Sequence, residues 1–310
     1  MMGIVTLHLF SYAGMGHHWI PRLCTSCVVG FVFISGYFGV KFSLTKLAKL
    51  YGVALFCATW CGVSVWMNGG SARGCLESIV SHLRVWWFVN AYIMLMLMAP
   101  MINYAMESSS RDKLLEISAP ILILVFGWEF LTIVPSIREW IPADRGFGTH
   151  SGLTLVGIYV ASRLYRLLNI EQKLSGRMWL FGWVVSGVIC ALNFGKYNSP
   201  FALIFAAASF ALMKRLGETK LYGKFSSLGD VCVFLGPSML SVYLLHVGGV
   251  IHLLWLKPVT ASGIGKWLTA LGVPTYPRLF LAIIIVFAIC VVVDLARRAG
   301  LSSLKRIIMR

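Results

Sequence analysis

His8 stands inside MMGIVTLHLFSYAG, an otherwise apolar run at the start of the chain. An ionisable side chain in such a run is costly in lipid unless a partner, a water-filled cavity or a reaction uses it. Imidazole changes charge near neutral pH, which suits it to taking and returning protons. His8 is therefore a candidate for acid–base work, and the alternative is a histidine that only hydrogen-bonds its neighbours. Other polar groups interrupt later apolar runs: Asn90 and Tyr92 beside Trp86 and Trp87, then Glu129, His150, Tyr243 and His246. His150 falls at the end of a run, where it stays hydrated, and Trp86 and Trp87 suit an interfacial aromatic belt as well as a site. Glu129 and His246 are harder to explain as surface groups; pairing to another span is their alternative role.

Two further clusters have side chains of the right type for chemistry. Cys24 and Cys27 form a C-x-x-C shortly after His17 and His18, but one pair without a second spaced pair is a weak metal or redox signal, and no metal site is assigned. The remaining cysteines do not form a secreted disulfide framework; Cys57, Cys61, Cys190, Cys232 and Cys290 fall in apolar runs, where Cys behaves as a small apolar residue. In FVFISGYFGVKFSLTKLAKLY, residues 31–51, Ser35 and Gly36 permit close backbone approach, and Lys41, Ser43, Lys46 and Lys49 follow at once. Those lysines could hold phosphates or serve as ordinary positive-inside anchors. GIGK at 263–266 lacks the spacing of a phosphate loop.

The elements that carry these residues are membrane helices. The chain has 310 residues, 58% hydrophobic and only 12% charged, about half the charged share of a soluble domain. A soluble protein of this length could not hide so much apolar side chain. Apolar segments long enough to cross the hydrocarbon fall near 1–14, 24–40, 50–66, 85–104, 114–133, 149–165, 178–194, 199–213, 229–253 and 279–296. They lack the alternation of barrel strands, so the expected fold is all-α, a polytopic membrane protein of about ten transmembrane helices. With the N-terminus inside, eighteen of the 27 Lys and Arg fall on the cytoplasmic side, which predicts both termini cytoplasmic. The net charge of +16 is then topology and contact with anionic lipid headgroups, not nucleic-acid binding. No linker or soluble module breaks the chain, so residues 1–310 are expected to form one membrane domain with short connections.

FVFISGYFGVKFSLTKLAKLY, together with a first span containing His8, resembles the opening of the bacterial acyltransferase 3 family of membrane acyltransferases. Three later stretches are similar to family segments in the same order. VWWFVNAYIMLMLMAPMIN at 85–103 is similar to its Trp-Phe-rich span ending in Pro. LVGIYVASRLYR at 155–166 is similar to its Gly-x-Tyr span ending in Arg, and SMLSVYLLHVGGVI at 238–251 to its Ser-x-Tyr-Leu-x-His segment.

The resemblance implies transfer of an acyl group, most often acetyl, from cytosolic acyl-CoA to a hydroxyl of an extracytoplasmic glycan or lipid-linked sugar. Acetyl-CoA is then a donor substrate, and no cofactor is permanently bound. The implied location is the bacterial plasma (inner) membrane, the partners are membrane lipids, acyl-CoA and the acceptor, and a homo-oligomer is compatible with such a chain. The family's essential first-span histidine matches His8. A sugar hydroxyl is a poor nucleophile and needs a base near its proton, a role that neutral imidazole suits. About five residues at ~1.5 Å rise put His8 roughly 7 Å below the outer edge of the hydrocarbon. Direct attack and an acyl-histidine intermediate both fit. Glu129 and His246 join His8 as catalytic candidates. Trp87, Asn90, Tyr92 and Tyr243 are candidates for the acceptor, and Lys41, Ser43, Lys46 and Lys49 for the donor's phosphates.

The family's Arg eleven residues before its histidine has no counterpart here. A helix from Met1 to Ala13 covers about 20 Å against ~30 Å of hydrocarbon, so the expectation is a native product starting upstream with a cytoplasmic Arg, or else a weakened member. A transporter or flippase of lipid-linked sugars is the alternative function, although no internal repeat or paired interrupted spans support it. A structural membrane subunit is a third option, made less attractive by His8 and Glu129.

Overall fold

With no water in the bilayer core, each backbone polar group must be satisfied inside its own segment, and every regular element among the described residues is helical. The computed structural model describes residues 1–12, 15–127, 152–194, 196–219, 226–247, 270 and 274–308. In chain order the helices are α1 (Met2–Tyr12), α2 (Trp19–Cys24), α3 (Ser26–Phe38), α4 (Leu44–Met67), α5 (Ala72–Val85), α6 (Trp87–Glu107) and α7 (Arg111–Leu122). Then come α8 (Gly152–Leu167), α9 (Ile170–Lys173), α10 (Gly176–Ile189), α11 (Pro200–Gly217), α12 (Ser226–Leu235), α13 (Met239–Val247) and α14 (Thr275–Ile308). Single π turns extend α7 and α10, and a 3₁₀ turn at Gly236–Ser238 joins α12 to α13.

Six described segments are long and apolar enough to span a bilayer: Trp19–Phe38, Leu44–Met67, Trp87–Glu107, Pro200–Gly217, Gly229–His246 and Thr275–Ser303. Met2–Ser11 and Gly176–Leu192 are shorter apolar helices. The protein is thus a multi-pass helical membrane protein. The connection between the third and fourth expected spans is longer than a short loop, because α5 fills it. Ser71 caps α5, accepting from the Gly74 amide at 3.1 Å, and Leu76 and Val80 lie on an exposed stripe. Such an amphipathic helix suits an interfacial position. The ninth expected span is broken by Gly236-Pro237, since proline cannot continue the helical ladder.

Packing divides the chain into two interleaved units, residues 1–17, 48–86 and 224–310 in the first and 18–47 and 87–223 in the second. In the first unit α14 is the common support: α1 and α13 both pack on it and on each other. Gly62 of α4 lets α5 fold back, because a Cβ there would lie 2.9 Å from the Cys75 carbonyl oxygen.

The second unit is built on α3 against α8, with α6, α10 and α11 around them. The Ser35-Gly36-Tyr37 triplet makes three different contacts. Ser35 Oγ lies 3.1 Å from Tyr92 Oη on α6. Gly36 is the point of close approach: a Cβ there would sit 2.8 Å from both the Tyr159 carbonyl oxygen and Ser162 Cβ of α8. Ser162 Oγ donates to the Phe33 carbonyl at 2.5 Å across the same contact. Tyr37 carries its ring between Arg166 and Lys214, at 5.5 and 5.7 Å from the centroid. Its hydroxyl donates to Glu171 and accepts from Lys214.

Gly39 ends α3 at φ +76°, a conformation open to glycine, and the next residue is clamped. The Val40 amide donates to Tyr159 Oη at 2.9 Å, Tyr159 donates to Asn103 Oδ1 at 2.8 Å, and Asn103 Nδ2 returns to the Val40 carbonyl at 3.0 Å. Arg163, buried at 2% exposure, makes an ion pair with Glu107 beside this turn.

Gly36→Ala should therefore overpack α3 against α8 backbone, costing about 1–3 kcal/mol. Gly52→Ala, where nothing lies within 4 Å, should be neutral or slightly stabilising. Thermal unfolding of both variants in detergent checks this; equal melting temperatures would contradict the close approach.

Candidate active site

The first unit brings His8 and His246 together. Their ring centroids are 5.1 Å apart with planes tilted by 58°. His8 is half-buried on α1, between the buried Ile4, Val5, Leu9 and Phe10 that seat the helix. Thr6 and Ser11 return their hydroxyls to carbonyls one turn back, at 2.9 Å each, so neither competes for the imidazoles. His246 is fully buried on α13. Its Nδ1 lies 2.7 Å from the Val242 carbonyl, which makes Nδ1 the protonated nitrogen and leaves Nε2 as a lone pair. That Nε2 has no hydrogen-bond partner among the described residues. Tyr243 stands edge-on to His246, centroids 6.1 Å apart.

Below this pair on α13, a carboxylate locks α13 to α14. Asp294 is fully buried and accepts from Ser241 Oγ at 2.5 Å and from Arg297 Nε and Nη2 at 2.9 and 2.7 Å. Arg298 Nε lies 3.2 Å from the second carboxylate oxygen, and its Nη2 donates to Ser238 Oγ at 3.0 Å. Arg297 also lies over the Phe56 ring of α4, 5.8 Å from its centroid. The cluster sets one buried carboxylate against two guanidiniums and fixes the start of α13, so it sets where His246 sits on the helix above. Sequence reading missed it. A lone Asp in LAIIIVFAICVVVDLARR was the available signal, since a carboxylate in such a run needs a partner.

The remaining candidates are distributed as follows. Tyr243 joins the histidine pair. Trp87, Asn90 and Tyr92 belong to the second unit, all on α6. Tyr92 commits its hydroxyl to Ser35 and stacks on Phe88, centroids 5.8 Å apart, so it links α3 to α6. Trp87 meets Tyr197 at 5.2 Å between centroids, and Asn90 is exposed. Lys41, Ser43 and Lys46 lie in the second unit and Lys49 in the first. The three lysines are exposed, and Lys46 Nζ reaches the Lys41 carbonyl at 3.5 Å. Glu129 and His150 lie outside the described residues. His18 caps α2 by accepting from the Ile20 amide at 3.4 Å, and Cys24 and Cys27 are free thiols. No group of three His, Cys, Asp or Glu side chains suited to a metal occurs among the described residues.

Removing the Asp294 carboxylate strands two arginines, and breaking a buried pair typically costs about 3–5 kcal/mol. Asp294→Ala should lower the melting temperature far more than Arg73→Ala, because Arg73, like its partner Glu77 on α5, is exposed to solvent. Comparable shifts for the two would show that the cluster does not hold α13.

The family model of the acyltransferase 3 family, described as an acyltransferase domain, matches residues 1–297. No curated protein and no solved structure matches the chain. With nearly the whole chain matched, a multi-pass helical fold and a histidine pair in its apolar interior, this protein belongs to the acyltransferase 3 family of membrane acyltransferases.

Proposed function

We propose that this acyltransferase moves an acyl group, acetyl in the first instance, from cytosolic acyl-CoA to a hydroxyl of an extracytoplasmic glycan or lipid-linked sugar. The observation that carries the reading is the juxtaposition of His8 with a buried His246 whose Nε2 has no hydrogen-bond partner among the described residues. In this scheme His8 turns one ring nitrogen toward the His246 lone pair during the reaction, and its other nitrogen serves as the base. His8 takes the proton of the acceptor hydroxyl as its oxygen attacks the thioester carbonyl. The C–S bond then breaks, the thiolate of CoA leaves, and His8 returns the proton to it. One C–O bond forms, one C–S bond is lost, and no net proton is consumed. Glu129 stays a sequence-based candidate for the same site. Trp87, Asn90, Tyr92 and Tyr243 keep their proposed acceptor roles, and Lys41, Ser43, Lys46 and Lys49 their donor roles.

The topology proposed with this function has ten spans in a bacterial plasma membrane and both termini inside, on the two-to-one bias of Lys and Arg. Cys75, near the start of α5, should then face outward. An impermeant maleimide should label it in intact spheroplasts when the other seven cysteines are replaced. Labelling only after permeabilisation would reverse the map.

His8→Ala should abolish transfer while the protein stays in the membrane, because a general base is worth about 10²-fold or more and alanine keeps the helix. His246→Ala should be milder. Mass spectrometry of the surface glycan from cells carrying each variant reads the acyl group directly. Transfer by His8→Ala within about threefold of wild type would refute the assignment.

A further inference from the structure

The second unit contains a cavity of about 400 Å³ at the junction of α6, α7, α8 and α9. Its polar lining is Glu107, Ser109, Arg111, Asn169 and Lys173, backed by an apolar wall that includes Leu114. Glu107 is already bound to the buried Arg163, so its charge is offset. Arg163 itself keeps an Nε with no hydrogen-bond partner among the described residues. Arg111 and Lys173 make no ion pair among the described residues. They also lie on adjoining elements: Asn169, at φ 52°, stops α8 and turns the chain into α9, which ends at Lys173. Ser110, the N-cap of α7, makes no side-chain cap bond, so the first-turn amides beside Arg111 are left to another acceptor.

Arg111 and Lys173 beside a helix start suit phosphate: Glu107 is offset by Arg163, Asp112 is a further carboxylate in the first turn of α7, and the Ser109 hydroxyl is committed to the Ala105 carbonyl at 2.6 Å. The volume is larger than inorganic phosphate needs and falls within the range of small-molecule sites, and the apolar wall suits an organic group esterified to the anion. We infer that this cavity binds a phosphate ester, either the nucleotide end of the acyl donor or the headgroup of an anionic lipid. The donor alternative rests on the proposed function and adds a second cationic group to Lys41 and Lys46. The lipid alternative does not depend on it.

Calorimetric titration of the full chain in neutral nanodiscs separates the two sources. Adenosine 3′,5′-bisphosphate is the probe for the donor end, and short-chain phosphatidylglycerol the probe for lipid. Arg111→Glu with Lys173→Glu should weaken binding of one probe at least tenfold, and Arg177→Glu, an exposed charge outside the cavity, should leave it unchanged. Arg111→Gln with Lys173→Gln, which removes charge without reversing it, should weaken the same probe at least threefold and serves if the reversal disturbs folding. Weakened bisphosphate binding identifies the donor, and weakened phosphatidylglycerol binding alone identifies a lipid. Wild-type affinity of the glutamine and glutamate variants for both probes, or no binding of either probe by the wild type, overturns the inference. His8→Ala should retain probe binding, so failure of the catalytic reading leaves this result untouched.

Discussion

A polar group inside hydrocarbon has to find its partner in the protein, and both units are arranged by that constraint. Ser162 reaches a carbonyl of α3, the Val40 turn is closed by Tyr159 and Asn103, and Asp294 is surrounded by Ser241, Arg297 and Arg298. Against this pattern His246 stands out. It satisfies one ring nitrogen on its own helix, the other has no partner among the described residues, and a buried lone pair without a donor costs stability. Groups held at such a cost concentrate where they are used, which is why the pair, and not the better-bonded Tyr92, carries the functional reading.

The same constraint explains what could be seen in the sequence. Gly36 and Ser35 were legible because small residues at the end of a span suit close backbone approach, whereas the ring of Tyr37 between two cations was not. His8 and His246 were legible as histidines in apolar runs. Their proximity was not: they are far apart in the chain, and periodicity within a helix says nothing about which helix it faces. Asp294 was hidden by its position just before Arg297 and Arg298, where a charge passes for the end of a span. Only the contact with Ser241 distinguishes a structural carboxylate from a flanking one. The α5 helix was hidden for another reason. Its mixture of Arg73, Glu77 and Arg84 with Leu76 and Val80 is too polar for a span, and its two faces suit an interfacial helix.

The lysines after α3 show how little a cation cluster says by itself. Lys41, Lys46 and Lys49 are exposed, and exposure suits an anchor at the headgroups as well as a ligand contact. Around the cavity at Arg111 and Lys173 the cations come with a helix start and an apolar wall, so the chemistry is more specific than charge alone. The two groups share a support. Arg163 binds Glu107 of the cavity, and one of its terminal nitrogens would lie 3.1 Å from a Cβ on Gly39, in the turn that leads to Lys41.

In the first unit α14 performs the corresponding task. At 34 residues it is about 50 Å long, well beyond the ~30 Å of hydrocarbon, so it can take α1 and the Asp294 cluster at different heights. His8 owes its position to apolar packing of a short helix, which resists sliding weakly because lipid is as apolar as the protein surface it would replace. His246 owes its position to charge, since α13 is tied to α14 through Asp294. The two imidazoles thus meet from one loosely held helix and one tightly held helix. The imidazole contact is held from the α13 side by the Asp294 cluster and from the α1 side by apolar packing.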